Sequence, residues 1–110
     1  MSQDSAQPQA LYSDLGADPD LGELVEMFVD EMPDRVANIQ KLLEASDWEE
    51  LRRAAHQLKG AAGSYGFSPI SPSAATVEDA IRSEQPEEQI RQAAEALCEM
   101  CNRVRAGAPE

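Results

Sequence analysis

A single histidine, His56, stands in a chain of 110 residues, and small or basic residues follow it closely. In the segment AAHQLKGAAGSYGF, residues 54–67, Lys59 and Gly60 come at i+3 and i+4 and Gly63 at i+7. On a helix turning by about 100° per residue, these four positions share one face. An imidazole is neutral near physiological pH, attacks through a ring nitrogen, and can hold its other nitrogen's proton. An ammonium one turn along would balance any anion that reaches it. Leu51, Ala55, Leu58, Ala62 and Tyr65 form a separate stripe at 3–4 spacing. One face of the segment is therefore made for burial, and the other offers a nucleophile beside a cation.

Glycine inside a helix costs about 1 kcal/mol relative to alanine, so Gly60 and Gly63 need a reason. One reading ends the helix there, with Lys59 in the last turn and Gly60 as a C-cap. The apolar stripe runs on through Ala62 and Tyr65, which favours a continuous helix. On that reading the bare positions leave room for another protein to approach His56.

The elements that must position this face follow from periodicity. Asp18-Pro19 predicts an N-cap with proline at N1. The helix it opens has Leu21, Leu24, Val25, Phe28, Val29, Met32, Val36, Ile39, Leu42 and Leu43 on its apolar side. Pro33 lies inside that run, and because the stripe keeps its phase the expectation is one kinked helix. Ser46 or Asp47 caps the next helix by a Ser-x-x-Glu or Asp-x-x-Glu box; this helix carries His56 and ends near Gly66 or Phe67. Ser68-Pro69 and Ser71-Pro72 both signal the start of a third helix, with Ile70, Ala74, Val77 and Ile81 facing inward. Gln85-Pro86-Glu87-Glu88 opens a fourth, with Ile90, Ala94, Leu97, Cys101 and Val104 inside and Ala106-Gly107 at its end. No alternating β-branched runs or Asn-Gly hairpins occur, so sheet is not expected. The predicted fold is all-α: an antiparallel up-down-up-down four-helix bundle over residues 18–107. Residues 1–17 are expected to be a mostly disordered, flexible N-terminal segment, with Ala10–Leu15 able to form one docked helical turn. If the second helix ends near Gly66 and the third starts near Ser71, residue numbers summing to about 137 lie level. Glu78 then falls within a turn of His56, either as its partner or as a solvated glutamate on the rim.

Composition narrows the function classes. One domain with a modest core is expected. The net charge of −12 argues against nucleic acid as a partner. From Leu51 to Val77 no acidic residue occurs, while Arg52, Arg53 and Lys59 lie there. This basic island suits a phosphoryl group and an acidic partner surface. No apolar run is long enough to span a membrane and no signal peptide is visible, so the expected location is cytoplasmic. Cys98 and Cys101 form C-x-x-C without a βαβ pattern or a second pair of ligands, which reads as free thiols on a helix face.

The residues His56, Leu58, Lys59, Gly60, Ala61, Ala62, Gly63, Ser64 and Gly66, in the pattern A-H-x-L-K-G-A-A-G-S-x-G, carry a resemblance. The pattern resembles the motif of the histidine-containing phosphotransfer (HPt) domains of bacterial phosphorelays. Asp47-Trp48 before it and the Ala-x-x-Val-Glu-x-Ala run at 74–80 agree. The resemblance implies a phosphocarrier that accepts a phosphoryl group on His56 from a receiver-domain aspartate or a kinase and passes it to another receiver. It implies Lys59 as the charge partner of the phosphoryl oxygens. Glu78 stands where family members often carry Gln or Glu, and would hold Nδ1–H so that Nε2 is the nucleophile. Arg52, Arg53, Gly60, Gly63 and Ser64 would meet the docking partner. The implied partners are receiver domains of response regulators or a hybrid histidine kinase, with no nucleic acid or membrane, and the chain a monomer. No cofactor of its own is implied, Mg²⁺ belonging to the partner's receiver. A Gly-rich phosphate loop, a Walker lysine and a metal-binding carboxylate cluster are missing from the sequence, which fits a carrier rather than a kinase. The alternative is a helical module that docks on response regulators without transferring phosphate; such a degenerate member would be expected to lack His56 or Lys59.

Overall fold

A computed structural model describes residues 10–107. Four helices make up the body: α1 (Gly22–Glu44), α2 (Trp48–Ser64), α3 (Ile70–Arg82) and α4 (Glu87–Cys101). Short connections force successive helices to run antiparallel. Each helix packs on the next, and α1 closes on α4, which completes an up-down-up-down bundle.

The helix limits follow local chemistry. The Asp18 carboxylate accepts from the backbone N–H of Asp20 and Leu21, at 2.7 and 3.0 Å, and so caps a single turn that leads into α1. From Gly22 the helix continues through Pro33 as one element. Asp47, not Ser46, caps α2, its carboxylate accepting from Glu50 N–H. Pro72 falls in the first turn of α3, where a missing N–H leaves no intrahelical bond unmade.

The core takes its residues from the expected stripes. Val25, Phe28, Met32, Val36, Ile39 and Leu43 of α1 meet Leu51, Ala55, Leu58 and Ala62 of α2. Alanines at 55, 62, 74 and 94 are fully buried, and their small size lets the helix axes approach. The Phe28 ring stacks on both Tyr65 and Phe67, with centroids 5.1 and 5.5 Å away. Leu24 departs from expectation: it is 44% exposed, because it sits about 100° round the helix from Val25.

Two expectations at the chain's ends are corrected. Helix α4 stops at Cys101 and not at Ala106-Gly107; Val104–Arg105 instead form a two-residue strand, β2. Leu11–Tyr12, within the stretch Ala10–Leu15 that the sequence allowed one helical turn, form the strand β1 and pair with β2 in parallel, Leu11 opposite Val104. Leu11 N–H donates to the Arg103 carbonyl at 2.7 Å, which draws that backbone out of helical bonding. The expected flexibility of residues 1–9 lies outside the described residues. Residues 13 and 14 then clip the end of α2. The buried Ser13 hydroxyl donates to the Tyr65 carbonyl, and Asp14 N–H donates to the Gly66 carbonyl at 3.0 Å.

Gly66 occupies the left-handed region, with φ of 82°, and a Cβ there would lie 2.5 Å from Ser13 Oγ. Gly66→Ala should therefore lower stability by about 2 kcal/mol, from the left-handed backbone and the displaced Ser13 hydrogen bond. Urea denaturation checks this; an unchanged midpoint would mean that the clip contributes nothing.

Candidate functional site

Helix α2 runs through Gly60 and Gly63 to Ser64, so Gly60 is not a C-cap. His56, Lys59, Gly60 and Gly63 consequently do share one face, turned toward α3 and solvent. Ser71, Glu78 and Arg82 lie on the answering stripe of α3, at i, i+7 and i+11.

Glu78 is the centre of the arrangement. It follows Ala74 and Val77 on the inward side of α3, in a position that an apolar residue would ordinarily fill, and its side chain is 2% exposed. Its carboxylate meets three donors. His56 Nδ1 lies 2.9 Å from Oε2, Lys59 Nζ 2.9 Å from Oε1, and Arg82 Nη2 2.9 Å from Oε2. The Lys59 hydrogen bond holds the Glu78 carboxyl below the usual carboxylate range; burial opposes this, and the His56 hydrogen bond adds to it. An ionised carboxylate can only accept. The hydrogen of the His56–Glu78 contact therefore belongs to Nδ1, and the lone pair of the neutral ring is left on Nε2. The His56 side chain is 61% exposed, so Nε2 is within reach of a visitor.

The glycines leave the surroundings bare. A Cβ on Gly60 would have no neighbour within 4 Å, and one on Gly63 would make only an ordinary contact, 3.5 Å from Ser71 Oγ. Nothing inside the bundle requires glycine at either position. The Ser71 hydroxyl donates to the Lys59 carbonyl at 2.8 Å, which pins α3 against α2 at the level of the site.

The structure thus brings together His56, Lys59 and Glu78, with Gly60, Gly63 and the exposed Ser64 alongside. The solvated-rim alternative for Glu78 is ruled out by its burial. The two arginines of the basic island have local partners: Arg52 pairs with Glu49 and Arg53 with Glu50 at 3.5 Å, carboxylates from the preceding turn. Arg82 was missed by sequence reasoning. Its signal was an i,i+4 Glu–Arg spacing on α3, which ordinarily marks a solvated pair. Cys98 and Cys101 are buried on α4, away from His56 on α2, and burial pushes their thiols up to about 11 and about 12. They stay protonated and are poor ligands or nucleophiles. Among the described residues no group of His, Cys, Asp and Glu could hold a metal ion, and no helix is long and apolar enough to cross a membrane.

In comparison with known proteins, a family model described as the Hpt domain matches residues 23–107. No curated protein and no solved structure matches.

The lowered Glu78 acidity predicts a pH dependence. A carboxyl whose folded value lies below its unfolded one stabilises the fold above the unfolded value and loses that contribution as pH falls through the folded one. Stability should therefore fall with acidification below the ordinary carboxyl value of 4.5, and part of that fall should vanish in Glu78→Gln. Urea midpoints for both proteins from roughly pH 6 to roughly pH 3 measure it. Parallel curves would assign the acid sensitivity to other carboxylates.

Proposed function

The chain belongs to the Hpt domain family, and from that membership we propose that His56 is the residue that carries the phosphoryl group. Domains of this family are phosphocarriers of phosphorelays and not kinases, and they act with receiver domains of response regulators or with kinases. The observation that supports His56 most directly is its exposed ring, held through Nδ1 by a buried, ionised Glu78.

Phosphoryl transfer passes through a loose transition state, so the protein's task is positioning and charge. In the forward step the Nε2 lone pair attacks the phosphorus of a receiver's aspartyl phosphate. The N–P bond forms as the acyl P–O bond breaks, and the receiver's carboxylate leaves with the bonding pair. The ring becomes more positive as this happens, and Glu78 stabilises it by accepting the hydrogen bond from Nδ1–H, the proton staying on the ring. Lys59, one turn along, answers the phosphoryl oxygens as a mobile point charge. In the return step a second receiver's aspartate oxygen attacks the phosphorus and neutral imidazole departs. Mg²⁺ is supplied by the receiver. The carrier contributes no cofactor, and works as a monomer in the cytoplasm. Gly60, Gly63 and Ser64 form the floor on which the receiver sits.

His56→Gln should abolish acid-labile labelling by a phosphorylated receiver while leaving the circular dichroism spectrum unchanged. Label retained on that variant would overturn the assignment. The glycine floor makes a prediction with two signs. Gly60→Leu should raise stability by up to about 1 kcal/mol, because a helix former replaces glycine in open space. The same change should slow transfer by about tenfold, the equivalent of about 1.4 kcal/mol in docking. Undiminished transfer by a stabilised Gly60→Leu would remove the steric argument.

A further inference from the structure

Two of the three donors to Glu78 have a second duty in phosphoryl transfer, and the third does not. His56 must turn its free nitrogen to the phosphorus. Lys59 must answer the phosphoryl oxygens, yet its Nζ is already engaged, 2.9 Å from Glu78 Oε1. A lysine that swings away from a carboxylate only 2% exposed leaves a buried charge short of a partner, which is strongly unfavourable. Arg82 removes this conflict. It approaches the other oxygen, Oε2, from the next turn of α3, and its side chain is 62% exposed, so it is engaged while still largely in solvent. Its only other partner among the described residues is the exposed Asp79, 3.7 Å away.

We propose that Arg82 is a positioning residue: it keeps the Glu78 carboxylate charge-balanced and in place when Lys59 moves from Oε1 to the phosphoryl oxygens, so that Glu78 goes on accepting the hydrogen bond from His56 Nδ1–H. This rests on the phosphocarrier reading of His56. With a neutral imidazole, Glu78, Lys59 and Arg82 together carry one net positive charge toward the incoming group. Without Arg82 they carry none, and engaging Lys59 elsewhere would strand the carboxylate. The arrangement is needed because position 78 holds a carboxylate: an uncharged amide there would tolerate the loss of Lys59 without help.

Lys59→Met imitates the state in which the lysine has left, and the imidazole nitrogens report on the hold that remains. In nitrogen-resolved NMR of the whole chain, Lys59→Met and Arg82→Met should each keep the Nδ1-protonated tautomer of His56. The double variant should lose it to averaging between tautomers. Loss in either single variant, or retention in the double, would overturn the proposal. The second measurement uses phosphoramidate as a small phosphoryl donor. Arg82→Met should lower the phosphorylated fraction of His56 by at least about threefold, and Arg82→Lys should restore it. In a Glu78→Gln background, Arg82→Met should change nothing. An equal loss in both backgrounds would mean that Arg82 acts on the phosphoryl group directly and not through Glu78. If the unaltered chain takes no label from phosphoramidate or from a phosphorylated receiver, the carrier reading itself fails, and the tautomer measurement still judges the hold of Arg82 on Glu78.

Discussion

A carboxylate sealed inside a small helical bundle must either shed its charge or find donors for both oxygens. Glu78 takes the second course, and much of the surrounding geometry answers to it. Its three donors come from two helices, so α2 and α3 are fixed in register at that level. The Ser71–Lys59 hydrogen bond fixes the same pair of helices two turns of α3 earlier. Because the carboxylate is ionised, it dictates which ring nitrogen of His56 carries hydrogen, and through that which nitrogen is reactive. A single buried charge thus links packing, tautomer and reactivity.

Helix α2 is stabilised against its own glycines from outside the exposed face. Leu51, Ala55, Leu58 and Ala62 are buried along its length, Asp47 caps its start, and the Ser13 clip holds its end. Tertiary packing of this kind outweighs intrinsic propensity when a helix has one strongly apolar side. The opposite side is then free to be bare at Gly60 and Gly63 without interrupting the rod. The exposed face is left bare, and the buried face and the caps make up the lost helix stability.

Most of the bundle could be read from spacing, because amphipathic helices announce themselves every three or four residues. His56, Lys59 and the glycines were legible for the same reason, and Glu78 followed from counting back across one tight connection. What escaped had non-local or ambiguous causes. Val104 continues the phase of Leu97 and Cys101, so periodicity runs α4 past its true end; only the pairing with Leu11 and Tyr12, from the far end of the chain, ends it. A two-residue strand has no period to detect. Arg52 and Arg53 counted as free charge in a tally by segment, although Glu49 and Glu50 sit just outside the segment and on the same helix face. Arg82 looked like half of an ordinary surface pair, because nothing local reveals that its glutamate is buried.

The small ladder between β1 and β2 has a mechanical consequence. The strands run parallel, one leading into the bundle and the other leading out of it, and they lie side by side where α2 ends. Tension on the two ends of the chain would pull them in opposite directions along their length. The hydrogen bonds between them, including Leu11 to Arg103, would be loaded together in shear and not opened one at a time like a zip. Strain arriving from either side would be met at this seam before it reached the helix that bears the imidazole.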